Sequence, residues 1–319
     1  MNKNHKKAFS LIELSVVLVV ISIIIAGALS ASTVSINNAK TKITNDRIKV
    51  IYRALGNYIL TNYKLPCPAA LNITKDAIGY GNSVGLGGTC FGSGVYKSNI
   101  QNSLVYGMIP VSTLGLPKDL AEDGFGNKLI YVVNGNYTWA DYLANNIEWY
   151  FFSSFLESDI SNIRILQVST GNVIDGNAFA IISLGKNKYG AFGSAERTQS
   201  ATTSSDIYEQ QNYLRNVNSS SNSADFGIVA GNVNKVVITS ENSGSDVFDD
   251  IVFFKTRSQM LMDFKGMFMI PCFGFVNYNT SYYGQTIYRN TNCATPSFVR
   301  PSKKCTAYGI LVDQQACVN

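Results

Sequence analysis

The first 65 residues carry two successive helical patterns. Between Phe9 and Ala31 almost every position is apolar, and residues 14–31 contain no charged side chain. As a helix, residues 9–31 would be about 35 Å long at about 1.5 Å per residue, which exceeds the roughly 30 Å hydrocarbon core of a bilayer. The pattern predicts a membrane-spanning helix over residues 9–31 behind a short basic leader, residues 1–8. Ordinary signal cleavage at the small residues Ala26-Gly27-Ala28 is the alternative.

Beyond residue 31 the apolar positions change to the spacing of an amphipathic helix. They recur every three or four residues, as on one helical face. The members of this face are Ile43, Ile48, Ile51, Leu55, Tyr58 and Ile59. Leu65-Pro66 ends the pattern, because proline and the residue before it leave the helical region. We therefore expect residues 32–65 to continue the helix and to cover a sheet.

Strands dominate the pattern that follows. Six runs are rich in β-branched or aromatic residues and are bounded by Gly, Asn, Asp or Ser. They are Leu104–Ile109, Lys128–Val133, Ile163–Val168, Ala178–Leu184, Lys235–Thr239 and Ile251–Lys255. Residues 137–156, which include both tryptophans, could be helical. A helix followed mainly by strands favours an α+β fold, with the long N-terminal α-helix packed on an antiparallel β-sheet.

Composition divides the rest of the chain. Residues 66–197 are predicted to form a β-rich globular region, to which residues 224–271 add further strands and a short helix. Between them, residues 198–223 are dominated by Ser, Thr, Asn and Gln, which predicts an exposed loop or a linker between two lobes. Residues 272–319 contain four cysteines and few aliphatic side chains, which predicts a disulfide-stapled C-terminal segment.

The cysteines form an even, widely spaced set without a C-x-x-C pair, which favours disulfides over a zinc or redox site. They are Cys67, Cys90, Cys272, Cys293, Cys305 and Cys317. A Cys67–Cys90 bridge would tie the glycine-rich loop over residues 79–94. The last four cysteines allow three pairings, of which the local ones, Cys272–Cys293 and Cys305–Cys317, close most easily. Disulfides imply an oxidising compartment. The alternative is a set of buried reduced thiols in a cytosolic protein.

Charge and histidine content exclude several functional classes. The net charge is +5, and the leader contributes Lys3, Lys6 and Lys7. The remaining excess is small for phosphate neutralisation, so we expect no nucleic-acid partner. The only histidine, His5, also lies in the leader. A mature chain cut behind the leader would hold no Ser-His-Asp triad and no His-ligated metal site. We therefore predict a protein that is not an enzyme.

One carboxylate interrupts the apolar N-terminal segment. Glu13 inside a membrane-spanning helix would cost on the order of 2.5–3.5 kcal/mol, so it needs a partner. If the chain is cut before Phe9, the new α-amino group is a cation four residues away. The amine of a neighbouring copy, shifted along the helix axis, could pair with Glu13 in lipid. Such a pair would set the register between subunits.

Residues 7–17, with the sequence KAFSLIELSVV, resemble the type IV pilin and pseudopilin family. The resemblance implies that a membrane-embedded prepilin peptidase cuts between Ala8 and Phe9 and methylates the amine of Phe9, and that Glu13 is the register carboxylate. Ala8 departs from the family pattern, in which Gly is usual. The other partners implied are further pilins or pseudopilins, membrane lipid, and an inner-membrane assembly platform with its cytoplasmic ATPase.

An oxygen-rich loop precedes the last predicted strand. Asp246, Asp249 and Asp250, with Glu241 and Asn242 nearby, offer the ligand type that calcium takes, although the EF-hand spacing is absent. Some major pseudopilins bind calcium near the C-terminal end of their sheet, so the resemblance adds calcium as a candidate ligand. The alternative is a solvated loop without a cofactor.

A second motif, S-x-x-K at Ser183–Lys186, matches the serine-lysine pattern of penicillin-binding enzymes. That chemistry also needs S-D-N-like and K-T-G elements, which the chain lacks, so the motif is interpreted as a strand that ends in a turn.

Two functional hypotheses follow. In the first, the chain is a structural subunit, a minor pilin or pseudopilin, of a type IV pilus-like or type II secretion filament. It would cross the inner membrane once, with its C-terminal domain in the periplasm until assembly. In the second, it is a membrane-anchored or secreted surface protein, adhesin-like, whose N-terminus only mimics the prepilin signal.

Overall fold

A computed structural model describes most of the chain between residues 11 and 314. The described residues are 11–62, 64–85, 90–98, 104–138, 140–143, 146–149, 163–168, 170–200, 204, 206–226, 236–241, 248–264, 286–287, 302–305 and 311–314. The predicted cleavage site, Asp246, Asn242 and three of the six cysteines (Cys272, Cys293 and Cys317) lie outside these ranges.

A single 52-residue helix, α1 (Leu11–Asn62), opens the fold. Its second half buries Ile48, Ile51, Leu55 and Ile59, as the periodicity predicts. Ile43 was assigned to the same face, but it is 45% exposed. The spacing alone misplaces it, because Ile43 shares its face of the helix with Ile36 and Val50, seven residues away on either side and also exposed.

The predicted membrane span is not confirmed. Within the described part of the chain, no helix has a stretch long and apolar enough to cross a membrane. The apolar side chains of the first half of α1, from Leu11 to Ile25, are nevertheless exposed.

The strands are short apart from one. They are β1 (Tyr96–Ser98), β2 (Leu104–Met108), β3 (Ile130–Asn134), β4 (Ala140–Leu143), β5 (Asn146–Trp149), β6 (Ile163–Gln167), β7 (Asn172–Ser183), β8 (Arg215–Asn218), β9 (Ser223–Asp225), β10 (Val236–Glu241), β11 (Ile251–Thr256), β12 (Thr286–Ile287), β13 (Ser302–Cys305) and β14 (Leu311–Gln314). A second helix, α2 (Arg257–Asp263), follows β11 directly.

Nine strands form one sheet in the order β10-β6-β7-β3-β2-β1-β9-β8, with β11 also paired to β7. Most pairs are antiparallel, whereas β1–β9 and β10–β6 are parallel. The long strand β7 organises the sheet. Its first half pairs with β6, and its second half lies between β3 and β11. The α+β class is confirmed, with a sheet that is mainly antiparallel.

The second half of α1 packs on this sheet through an aromatic group. The Tyr52 ring lies 5.3 Å from the ring of Phe253 and 5.2 Å from that of Phe264, centroid to centroid. Gly56 is required at the contact, because any side chain there would collide with the Phe264 ring. Each large apolar side chain buried in this way contributes about 1.5–3 kcal/mol. The packing fixes the helix against β7, β11 and the turn after α2.

Two segments differ from their predicted form. Residues 137–156 were considered helical, but the described part forms the antiparallel pair β4–β5 after a short 3-10 turn. Residues 198–223 are predicted to form an exposed loop or a linker; residues 216–221 are exposed, but Tyr213 and Leu214 are buried and β8 pairs with β9. A disulfide joins Cys67 and Cys90, with Cα atoms 5.3 Å apart. It closes the loop that follows α1.

Candidate functional site

The candidate site lies where the C-terminal end of β7 meets the start of β11. Ile251 pairs with Ser183, so the turn after β7 and the two aspartates before β11 are neighbours. The polar segment before β8 adds a 3-10 turn, Glu209–Gln211. Three stretches that are distant in sequence therefore meet at one end of the sheet.

Three carboxylates meet at this end: Glu209, Asp249 and Asp250. Each offers one oxygen that lies within 4.8 Å of the corresponding oxygens of the other two. Glu209 is fully buried, and Asp250 is 8% exposed. We call this group the acidic cluster.

Hydrogen bonds hold the acidic cluster in place but leave part of it unsatisfied. Asp249 Oδ2 accepts from the backbone N–H groups of Lys186 at 2.9 Å and Asn187 at 3.1 Å. Asp250 Oδ2 accepts from Asn212 Nδ2 at 2.8 Å. The second oxygens, Asp249 Oδ1 and Asp250 Oδ1, are buried and accept no hydrogen bond from the residues that the structure describes. Such orphaned acceptors are uncommon in native structures and call for an explanation.

Glu209 is held by two side chains of its surroundings. Asn187 Nδ2 donates to Glu209 Oε1, and Ser204 Oγ donates to Glu209 Oε2. Asn187 thus contacts both Asp249, through its backbone, and Glu209, through its side chain. The turn after β7 therefore supports two members of the acidic cluster, whereas Asp250 is held by Asn212.

The electrostatics of the acidic cluster disfavour three negative charges. Burial raises the pKa of Asp250 well above its usual range, and Glu209 and Asp249 raise it further. The pKa values of Glu209 and Asp249 are also raised, first by burial. None of the ion pairs found among the described residues includes a member of the cluster. Among the described residues, Lys186 lowers the pKa of Asp249 through its charge, but no Lys or Arg side chain forms an ion pair with the cluster.

These residues fit a hard divalent cation such as Ca²⁺, which takes carboxylate and carbonyl oxygens. Of the predicted ligands, Asp249 and Asp250 lie in the cluster, Glu241 ends β10, and Asp246 is outside the described residues. Glu209 was missed. It follows Asp206-Ile207-Tyr208 in a segment dominated by Ser, Thr, Asn and Gln, and no spacing connects it to Asp249.

Another buried aspartate lies on the opposite side of the turn. Asp123, 2% exposed, accepts from the Phe125 and Asn127 backbone N–H groups, from Asn127 Nδ2, and from Ser183 Oγ at 2.7 Å. The hydroxyl of the S-x-x-K motif is therefore engaged with a carboxylate. This agrees with the interpretation of the motif as a strand that ends in a turn.

The N-terminal signal is the other candidate site. Glu13 lies in the first turn of α1, surrounded along the helix by exposed apolar side chains. A family model described as the prokaryotic N-terminal methylation motif matches residues 3–29.

The N-terminus is a prepilin-type signal.

The prepilin signal confirms the resemblance drawn from residues 7–17, and it is the signal of type IV pilins and pseudopilins. The match ends well before the sheet begins. No curated protein and no solved structure matches the chain. The prepilin signal supports a pilin-like protein that is anchored in a membrane and then assembled, with a prepilin peptidase and other pilins as partners.

Proposed function

We propose that this protein is a minor pilin or pseudopilin, a non-enzymatic structural subunit of a type IV pilus-like or type II secretion filament. The peptidase would cut between Ala8 and Phe9 and methylate Phe9. The mature chain would wait in the inner membrane with its sheet in the periplasm, until the assembly platform and its ATPase insert it into the filament.

The observation that carries this proposal is the prepilin signal at the head of a helix with two different halves. The first half exposes its apolar side chains from Leu11 to Ile25, while the second half is buried on the sheet through Ile48, Ile51, Leu55 and Ile59. Contiguous exposed apolar surface of this kind marks a membrane or protein contact. A helix held at one end and exposed at the other suits a subunit that moves from lipid into a helical assembly.

Glu13 is the residue on which the proposal can be tested. Glu13→Leu should leave the sheet folded and should abolish co-assembly with other pilins, because the amine of Phe9 would lack its partner in lipid. Glu13→Asp keeps the charge on a shorter arm and should assemble partially. Ser15→Leu is the matched control, since it places the same leucine side chain two residues away and leaves the carboxylate in place.

The measurement is recovery of each variant in sheared filaments, together with mass spectrometry of the mature N-terminus. A mature chain that begins at N-methylated Phe9 supports the proposal. A terminus near Leu29, or an uncut Met1, would instead favour the adhesin-like surface protein. Normal assembly of Glu13→Leu would leave the filament role standing and would remove the register role of Glu13.

The acidic cluster supports a second property, binding of a divalent cation that stabilises the sheet. Asp250 Oδ1 is a buried acceptor to which no described residue donates, in a side chain more than nine-tenths buried and beside two other carboxylates. Calorimetric titration of the full chain in detergent micelles with CaCl₂ tests this. Binding that Asp250→Asn abolishes and that Asp76→Asn, at an exposed site, leaves intact would support the cation site.

A further inference from the structure

We propose that the acidic cluster is coupled to helix α1 through Asp123, so that a cation at the cluster strengthens the hold of the sheet on the helix. This inference rests on the cation site proposed above. It assigns to that site a regulatory role in how firmly α1 is held.

The first link joins α1 to the turn over residues 122–127. Arg47 donates through Nη1 to the Glu122 carbonyl at 2.8 Å and to the Asp123 carbonyl at 3.1 Å. The Gly124 N–H donates to Thr44 Oγ1 at 2.9 Å. A side chain at Gly124 would collide with the carbonyl of Lys40, so the turn lies directly against the helix. The turn over residues 122–127 therefore packs against one stretch of α1, residues 40–47.

The second link joins that turn to the turn after β7. The Asp123 carboxylate accepts from Asn127 Nδ2 and from Ser183 Oγ. Asn127 Nδ2 also donates to the Gly185 carbonyl at 2.8 Å. One amide group therefore bridges the two turns, and both of its contacts are buried.

The third link joins the turn after β7 to the acidic cluster. Gly185 adopts a left-handed backbone, φ +57°, and a side chain there would collide with the Asp249 carboxylate. The next two N–H groups, of Lys186 and Asn187, both donate to Asp249 Oδ2. The charge on Asp123 also contributes to the raised pKa of Asp249, so the two carboxylates interact electrostatically as well as through bonds.

These links supply a physical route for coupling. With no cation, repulsion among the carboxylates of the acidic cluster would act on Asp249 and, through the hydrogen bonds that it accepts from Lys186 and Asn187, on the turn after β7. A bound cation would fix Asp249. The Gly185 carbonyl would then keep the hydrogen bond from Asn127 Nδ2, and the turn over residues 122–127 would be held against α1. A contiguous chain of packed turns and hydrogen bonds can carry such a bias.

Hydrogen exchange, read by mass spectrometry on the full chain in detergent micelles, tests the coupling. Peptides that cover residues 40–47 and 122–127 should exchange about fivefold more slowly in CaCl₂ than in EGTA, a typical coupling between two sites. Asn127→Ala should bind CaCl₂ but lose this slowing at residues 40–47. Asn72→Ala is the control, since its amide donates to the exposed Ser93 hydroxyl.

A second variant keeps the test decisive if Asn127→Ala fails to fold. Thr44→Val removes the acceptor of the Gly124 N–H on the helix side. It should retain the slowing over residues 184–188 and lose it over residues 40–47. If the wild-type chain binds no Ca²⁺ at all, the cation site falls and the coupling with it. If Ca²⁺ binds and slows exchange only around residues 184–188, the coupling alone is overturned.

Discussion

Asp123 and Asp250 are both buried aspartates, and their surroundings differ in one respect. Asp123 accepts four hydrogen bonds distributed over both carboxylate oxygens. From the described part of the chain, Asp250 accepts one, from Asn212, and its Oδ1 accepts none. Burial raises the pKa of both residues, and the hydrogen bonds to Asp123 oppose that rise more fully. The difference indicates that Asp123 belongs to the framework of the fold, whereas Asp250 is suited to an external partner.

Lys128 is a third buried charged residue, and the chain itself supplies the hydrogen-bond acceptors of its ammonium group. Its Nζ donates to the carbonyls of Leu71, Ile73 and Glu196 at 2.8, 2.9 and 2.7 Å. All three donors of the ammonium group are used. Within the described residues, the chain therefore satisfies two of its buried charged sites internally and leaves the acidic cluster incomplete.

The largest effect is expected from removing the framework carboxylate. Asp123→Ala should lower the free energy of unfolding by about 4 kcal/mol, because it leaves the Ser183 hydroxyl and three N–H donors buried without an acceptor. Urea unfolding of the full chain in detergent micelles measures this. Asp76→Ala, at an exposed site, is the control and should change it by less than about 0.5 kcal/mol. A small effect of Asp123→Ala would remove the contrast with Asp250.

Lys128→Met should have the next largest effect, a loss of about 3 kcal/mol. The methionine fills a similar volume but leaves three carbonyls without this donor, and the Leu71 carbonyl among them is buried. The same unfolding measurement applies, with Lys42→Met on the exposed surface of α1 as the control. If Lys128→Met and Lys42→Met were equally stable, the Lys128 ammonium group would make no net contribution to the free energy of unfolding.

Asp250→Asn should act in the opposite direction. In EGTA it should raise the free energy of unfolding by about 1 kcal/mol, because it removes one of three crowded buried charges. The wild-type chain should gain about 2.7 kcal/mol when CaCl₂ is present at about one hundred times its dissociation constant, whereas the variant should gain nothing. Asp123→Asn is the sharpest comparison, since it should lower the free energy of unfolding both in EGTA and in CaCl₂. Destabilisation by Asp250→Asn in EGTA would make Asp250 a framework residue like Asp123.

The smallest effect is a pH dependence that Lys128 creates. Burial lowers the pKa of Lys128 to about 8, while the unfolded chain keeps it near 10.5. Between these values the unfolded state binds the extra proton, so stability should rise as the pH increases from 8 toward 10. Lys128→Met should remove that rise. Measurements should stop near pH 10, because the buried tyrosines, whose pKa values are raised, reverse the slope above it.

Much of the fold could be predicted from runs of β-branched and aromatic residues and from the helical periodicity of apolar positions. The runs that became β2, β3, β6, β7, β10 and β11 were found because β-branched and aromatic residues mark a buried pleated surface. The pair β8–β9 was missed, since its Asn- and Ser-rich hairpin is held by tertiary pairing. Ser223 and Ala224 of β9 pair with Lys97 and Ser98 of β1, across more than a hundred residues of chain.

The two candidate sites, the prepilin signal and the acidic cluster, also differ in how far the sequence alone predicts them. The prepilin signal was readable because all its residues are contiguous and their order carries the chemistry. The acidic cluster could be predicted only in part from the sequence. Asp249 and Asp250 are adjacent in sequence, but Glu209 reaches them through a turn whose position depends on β7 and β11.

By itself, the sequence determined the signal, the long N-terminal helix, the α+β order and the main strands, because each depends on neighbours a few residues apart. Only the tertiary structure decided that Ile43 is exposed, which carboxylates meet, and which buried charges have partners. Those outcomes depend on distances between residues far apart in the chain, such as the 2.7 Å between Ser183 Oγ and Asp123 Oδ2, which are separated by 60 residues.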